Sequence, residues 1–122
     1  MYYLSTIFVL LFTFHTSSAQ EGIIIRKGEL VDITFNAQLK TTDLEDIKKQ
    51  LAKINISIEY PQVDFNKKGK LKALKFKVDT NDGFSGSAYS PRLSKKQHVY
   101  FYRNYVNKSS PFGTGVGRKK RR

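Results

Sequence analysis

From Val31 to Ala37 the apolar residues Val31, Ile33, Phe35 and Ala37 alternate with Asp32, Thr34 and Asn36. A period of two places one row of side chains on a dry face and the other on a wet face, which predicts a strand. The period then lengthens. Leu44, Ile47, Leu51 and Ile54 fall on one stripe of a helix. Thr42 and Glu45 stand three apart, as a capping box requires, and so predict its start. Asp43, Glu45 and Asp46 come early and Lys48, Lys49 and Lys53 late, which suits the helix dipole. Asn55 is the expected stop, because asparagine tolerates the left-handed conformation that ends many helices.

Alternation resumes with Ile56, Ile58 and Tyr60, is broken by Pro61, and returns with Val63 and Phe65, so the second strand should be kinked or bulged. Asn66-Lys67-Lys68-Gly69 predicts a turn into a long third strand from Lys70 to Thr80. Its register slips, since Leu71 and Ala73 share one parity while Leu74, Phe76 and Val78 share the other, which predicts a bulge near Ala73. Asn81-Asp82-Gly83 should turn the chain into a short strand from Ser85 to Tyr89, and Tyr100 to Tyr105 suits a fifth. The expected class is α+β: one helix packed on a mostly antiparallel four- to five-stranded sheet in the order β-α-β-β-β.

The ends differ from this body. An apolar run from Ile7 to Phe14 is followed by polar residues and by Ser17 and Ala19, small side chains that suit a signal peptidase, so residues 1–19 read as a signal peptide cut before Gln20. The run is shorter than the ~20 residues needed to cross a bilayer, and no second hydrophobic segment follows, so no membrane span is expected after cleavage. The expected setting is export, periplasmic or secreted. Cysteine is absent, so no disulfide supports an exported fold and packing alone must hold it. Residues 20–29 read as a lead-in, 30–106 as one domain, and 107–122, with Pro111 and several glycines, as a disordered basic tail.

Within the body, Thr42-Asp43-Leu44-Glu45-Asp46-Ile47-Lys48-Lys49-Gln50-Leu51, Ile56-Ser57-Ile58, Phe65-Asn66-Lys67-Lys68-Gly69-Lys70-Leu71 and Asp82-Gly83-Phe84-Ser85-Gly86-Ser87 follow one another in order. This succession resembles a small extracytoplasmic module found in the outer region of membrane zinc metallopeptidases of the penicillin-sensing type and in short exported proteins. The likeness covers roughly Leu30 to Tyr89 and consists of fold-determining positions. It implies an accessory or sensing module and carries over no functional residue, because the His-Glu-x-x-His zinc motif of the peptidase is missing.

Charge narrows the function further. The formal net charge is +12, and no Asp or Glu follows Asp82. Such an excess favours anionic surfaces or polymers. The candidate anion-binding residues are Lys70, Lys72, Lys75 and Lys77 on the third strand, Arg103 among the aromatic residues His98 to Tyr105, and Arg118, Lys119, Lys120, Arg121 and Arg122 at the end. For the strand lysines the competing expectation is that they only discourage pairing between molecules. Motifs for chemistry are poor. Asp79-Thr80-Asn81-Asp82-Gly83 has its glycine one place early for a calcium loop, and Ser90 stands where the closing Glu belongs. Gly113-Thr114-Gly115-Val116-Gly117 has no preceding strand in the pattern and reads as a flexible linker rather than a dinucleotide fingerprint. Gly83-Phe84-Ser85-Gly86-Ser87 only superficially resembles a nucleophile elbow, and after the leader His98 is the sole histidine. No catalytic residue, metal ligand or cofactor is assigned. The expectation is a non-enzymatic exported binding or sensing module whose target is a protein or another component of the cell envelope. The alternative is a charge-driven binder of an anionic polymer, whether envelope polysaccharide, acidic lipid headgroups or extracellular nucleic acid, of which nucleic acid is not favoured. A hydrolase using unrecognised carboxylates ranks last.

Overall fold

The computed structural model describes residues 22–118. Among the described residues seven strands and one helix follow in the order β1 (Ile23–Arg26), β2 (Leu30–Phe35), α1 (Thr41–Ala52), β3 (Ser57–Phe65), β4 (Leu71–Asp79), β5 (Ser85–Ser90), β6 (Gln97–Asn104) and β7 (Phe112–Arg118). They form two antiparallel sheets, β1-β2-β6-β7 and β3-β4-β5. The class is α+β with one helix, as the pattern implied, and the order β-α-β-β-β survives as β2 through β5. The strands are divided between two sheets rather than gathered in one.

Alternation dictates what each strand buries. Val31, Ile33 and Phe35 of β2 face inward with Val99 and Phe101 of β6, opposite Leu74, Phe76 and Val78 of β4. Phe76 packs between Phe35 and Phe101, with ring centroids 5.2 and 5.9 Å away. Each aromatic ring buried on folding removes a large apolar area from water, so this trio contributes much of the driving force in a chain without disulfides. Helix α1 lies against β3 and turns Leu44, Ile47 and Leu51 into the same core. Tyr60 fixes that contact: its hydroxyl donates to the Leu44 carbonyl at 2.8 Å and its ring meets Phe35 edge-on. Burial pushes the Tyr60 phenol far above its ordinary pKa, so it stays a neutral donor.

The helix starts two residues before the expected cap. Lys40 is the N-cap, and Asp43 rather than Glu45 supplies the returning carboxylate, accepting from the Lys40 N–H at 2.9 Å. Thr42 is inside the first turn. At the other end Asn55 stops the helix as expected, with φ of 65°. The Ile56 N–H donates to the Leu51 carbonyl and the Asn55 N–H to the Ala52 carbonyl, the bonding pattern of a Schellman turn.

Both expected irregularities of the second sheet are present. The β3–β4 register shifts between Glu59 and Gln62, where Tyr60 and Pro61 together oppose Phe76, and again near Ala73, where Lys72 is the extra residue. In the turn between these strands Gly69 takes φ of 80°, and the Asn66 side chain accepts from the N–H groups of Lys68 and Lys70.

Two segments depart from the sequence reading. Residues 23–26, assigned to a lead-in, form β1 and pair with β2. Residues 112–118, assigned to a disordered tail and a glycine linker, form β7 and pair with β6 through seven register positions from Gln97↔Arg118 to Arg103↔Phe112. The fold thus spans more than 30–106. The signal peptide of residues 1–19 and the basic residues Lys119, Lys120, Arg121 and Arg122 lie outside the described residues. Sheet edges meet where β5 approaches β7: the Thr114 hydroxyl donates to the Ser87 carbonyl at 3.0 Å. Gly86 permits that approach, since a Cβ there would stand 3.0 Å from Thr114 Cγ2 and 3.2 Å from the Phe112 ring.

Candidate functional site

The strand directions sort the loops into two poles. One pole gathers the β2–α1 connection, the β3–β4 turn, the β5–β6 connection and the end of β7. Hydrogen bonds tie them together: the Leu71 N–H donates to the Leu39 carbonyl, the Leu93 N–H to the Lys72 carbonyl, and the Ser90 hydroxyl to Gln97 Oε1. Gln97 in turn pairs with Arg118. Into this pole the chain delivers Lys40, then Lys67, Lys68 and Lys70, then Arg92, Lys95 and Lys96, and finally Arg118. All are exposed except Lys70, which is half-buried and donates to Gln38 Oε1 at 2.9 Å. The three connections contain no Asp or Glu. On adjoining elements Asp43 is engaged with Lys40 N–H, and Asp64 lies near the end of β3.

The opposite pole is mixed in sign. Glu29, Asp79 and Asp82 stand among Lys27, Lys53 and Lys108 on its turns. Its loops are joined by the Tyr105 N–H donating to Glu29 and the Asn81 side chain to Asn55. A cleft between α1 and β3, lined by Lys48, Ala52, Ser57 and Glu59, also opens there.

The expected anion-binding residues therefore separate. Lys70, Lys72 and Arg118 belong to the cationic pole. Lys75 and Lys77 lie farther along β4, on the outer face of the smaller sheet, where Lys77 is opposite Glu59 and Lys75 is crossed by a 3.3 Å hydrogen bond from Gln62 to the Tyr89 hydroxyl. Arg103 is a correction. It points inward from β6, its Nε and Nη2 donating to Asp82 at 3.0 and 2.8 Å and its Nη1 to the carbonyls of Asn104 and Pro111. The rings of Phe84 and Tyr105 hold its guanidinium from 4.6 and 4.3 Å, and Phe84 stacks on Phe112. Having spent its donors on the protein, Arg103 closes the open end between the sheets instead of meeting a ligand. The guanidinium holds the Asp82 carboxyl below its usual range, and burial raises the Tyr105 phenol.

Lys40, Lys67, Lys68, Arg92, Lys95 and Lys96 escaped the sequence reading. They lie far apart along the chain, and only the topology brings them to one end. A count of charge per connection, after the strands were assigned, is the signal that finds them.

A second feature adjoins the pole. His98, Tyr100 and Tyr102 alternate on the outer face of β6 and are half-buried. Their register partners are Gly117, Gly115 and Gly113 of β7. The rings lean onto these glycines so closely that a Cβ would stand 2.6 Å from His98 Nε2, 2.8 Å from the Tyr100 hydroxyl and 2.7 Å from Tyr102 Cε2. On the other side of β6, Thr34 is opposite Tyr100, and Asp32 opposite Tyr102. Partial burial raises the Asp32 pKa. The row ends at His98 and Gly117, the immediate neighbours of Gln97 and Arg118.

Among the described residues no group of His, Cys, Asp and Glu could hold a metal ion, and no helix is long and apolar enough to cross a membrane. Compared with known protein families, curated proteins and solved structures, the chain matches none.

Proposed function

We propose that the protein is a non-enzymatic extracytoplasmic binding module that grips an anionic polymer with its cationic pole. The carrying observation is the convergence of Lys40, Lys67, Lys68, Lys70, Arg92, Lys95, Lys96 and Arg118 on one end, through connections that hold no carboxylate. A cluster of one sign raises the local concentration of oppositely charged groups and steers their approach. Lysine ammonium groups on turns act as mobile point charges and suit repeated anionic groups of variable spacing better than one shaped anion. The leader-like sequence before Gln20 supports a target outside the cytoplasm, and so a polymer of the envelope over one of the cell interior.

The test is binding of the mature chain from Gln20 to an immobilised acidic polysaccharide across a salt series. Counterion release makes log affinity fall linearly with log salt. A loss of about a hundredfold or more between about 50 and about 500 mM salt is the expected result for a contact of several cations. Affinity that tolerates this change would remove the pole from the contact, and absence of binding at low salt would replace the proposal with a shaped protein interface, the other partner expected from the sequence.

A further inference from the structure

The row of rings on the larger sheet lies over a row of glycines. Tyrosines on the wet face of a strand normally stand among side chains of the neighbouring strands. Here one neighbour supplies only Gly113, Gly115 and Gly117, so each ring lies close against main chain and stays half-exposed. The other neighbour supplies Asp32 and Thr34, an acceptor and a donor-acceptor at the level of the rings. His98 and Tyr100 are 6.2 Å apart between centroids with their planes 57° apart, so successive rings present faces that turn along the row.

We propose that this face is a carbohydrate platform, on which His98, Tyr100 and Tyr102 stack against consecutive sugar rings while Asp32 and Thr34 hydrogen-bond their hydroxyls. The inference rests on the polymer-binding reading above and names the polymer as an acidic polysaccharide. Its acidic groups meet the cationic pole, and the chain continues over His98 onto the platform without a break. Asp32 and Thr34 suit sugar hydroxyls, which every pyranose ring carries along its edge. Single-stranded nucleic acid also stacks on aromatic rows, but an internal deoxynucleotide offers no such hydroxyl.

The test uses polygalacturonate, an uncharged β-1,4-glucan hexasaccharide and oligothymidylate as probes, with binding followed by calorimetry and by tyrosine fluorescence. Tyr100→Ala and Tyr102→Ala should each weaken polygalacturonate binding about tenfold, since a stacked ring carries that order of affinity. Tyr100→Phe keeps the ring and should stay within about twofold of wild type, and thermal unfolding of the two alanine variants, expected to keep a cooperative transition, separates stacking from loss of fold. Wild-type affinity for polygalacturonate in both tyrosine-to-alanine variants overturns the platform and leaves the pole standing, provided the salt response persists. Loss of the salt response with ring dependence intact overturns the pole instead. Ring-dependent binding of oligothymidylate tighter than that of polygalacturonate replaces sugar with bases, and an uncharged hexasaccharide that binds only through the rings is the strongest support.

Discussion

Arg103 illustrates why residue type alone does not assign a role. In the sequence it is one more cation in an aromatic stretch, but the parity of β6 turns it inward with Val99 and Phe101, toward Asp82 and the rings of Phe84 and Tyr105. Arg103→Ala would leave the Asp82 carboxylate without its partner and open the stack above Phe112. Asp82 is partly open to water, which screens the pair, so its loss together with the ring contacts predicts about 1–2 kcal/mol of destabilisation in a denaturant titration. The pH dependence has a definite sign. Asp82 has a lowered pKa in the fold, so its contribution is complete above the ordinary carboxylate value and is lost as pH falls through the lower folded value. Acid unfolding followed by circular dichroism should therefore become shallower in Arg103→Ala, the variant having already lost what protonation removes. Unchanged stability at neutral pH together with an unchanged acid limb would show the pair to be ornamental.

At the scale of elements, what the sequence revealed depended on whether side-chain periodicity reported the backbone. The strand over Leu30–Phe35, the stripe of α1, the stop at Asn55, the kink at Pro61 and the slip near Ala73 were all legible, because in each the apolar residues themselves point to the core or mark the irregularity. Strand β7 was not. In Phe112–Arg118 every second position is glycine, which has no side chain to alternate and low intrinsic strand preference, so the segment reads as a linker. What makes it a strand is supplied by β6, whose rings cover the glycines and replace the missing side chains. The two segments are thus one unit, legible only as a pair of His98-x-Tyr100-x-Tyr102 with Gly113-x-Gly115-x-Gly117. β1 was missed for a related reason: Ile23, Ile24 and Ile25 run together without alternation. The interlock of β6 with β7 makes a specific prediction. Gly115→Ala introduces a Cβ that overlaps the Tyr100 hydroxyl and must lift that ring, for a cost of about 1 kcal/mol. Combining it with Tyr100→Ala should recover part of the loss in thermal unfolding, and a double variant no more stable than the sum of the single losses would deny the contact.

For the whole molecule, the net charge of +12 matters less than where the topology puts it. The sequence pointed to the lysines of the third strand and to the terminal cluster, but the fold adds turn cations from well-separated segments to one pole and sets Lys77 on the sheet opposite Glu59. At ~3.3 Å per strand residue Lys77 lies roughly 17 Å from Lys72, about twice the ~8 Å over which salt screens exposed charges at physiological strength. Cations that far apart do not act on one anionic group together. Two variants with the same net charge then distinguish location from sum: Lys67→Gln with Lys95→Gln removes two charges from the pole, and Lys75→Gln with Lys77→Gln removes two from the sheet. If the pole is the contact, the first pair should weaken polygalacturonate binding about tenfold and flatten its salt slope, while the second should change affinity less than about threefold and keep the slope. Equal losses in the two pairs would mean that the polymer senses only the summed field. The pole would then be a consequence of the topology with no role in binding.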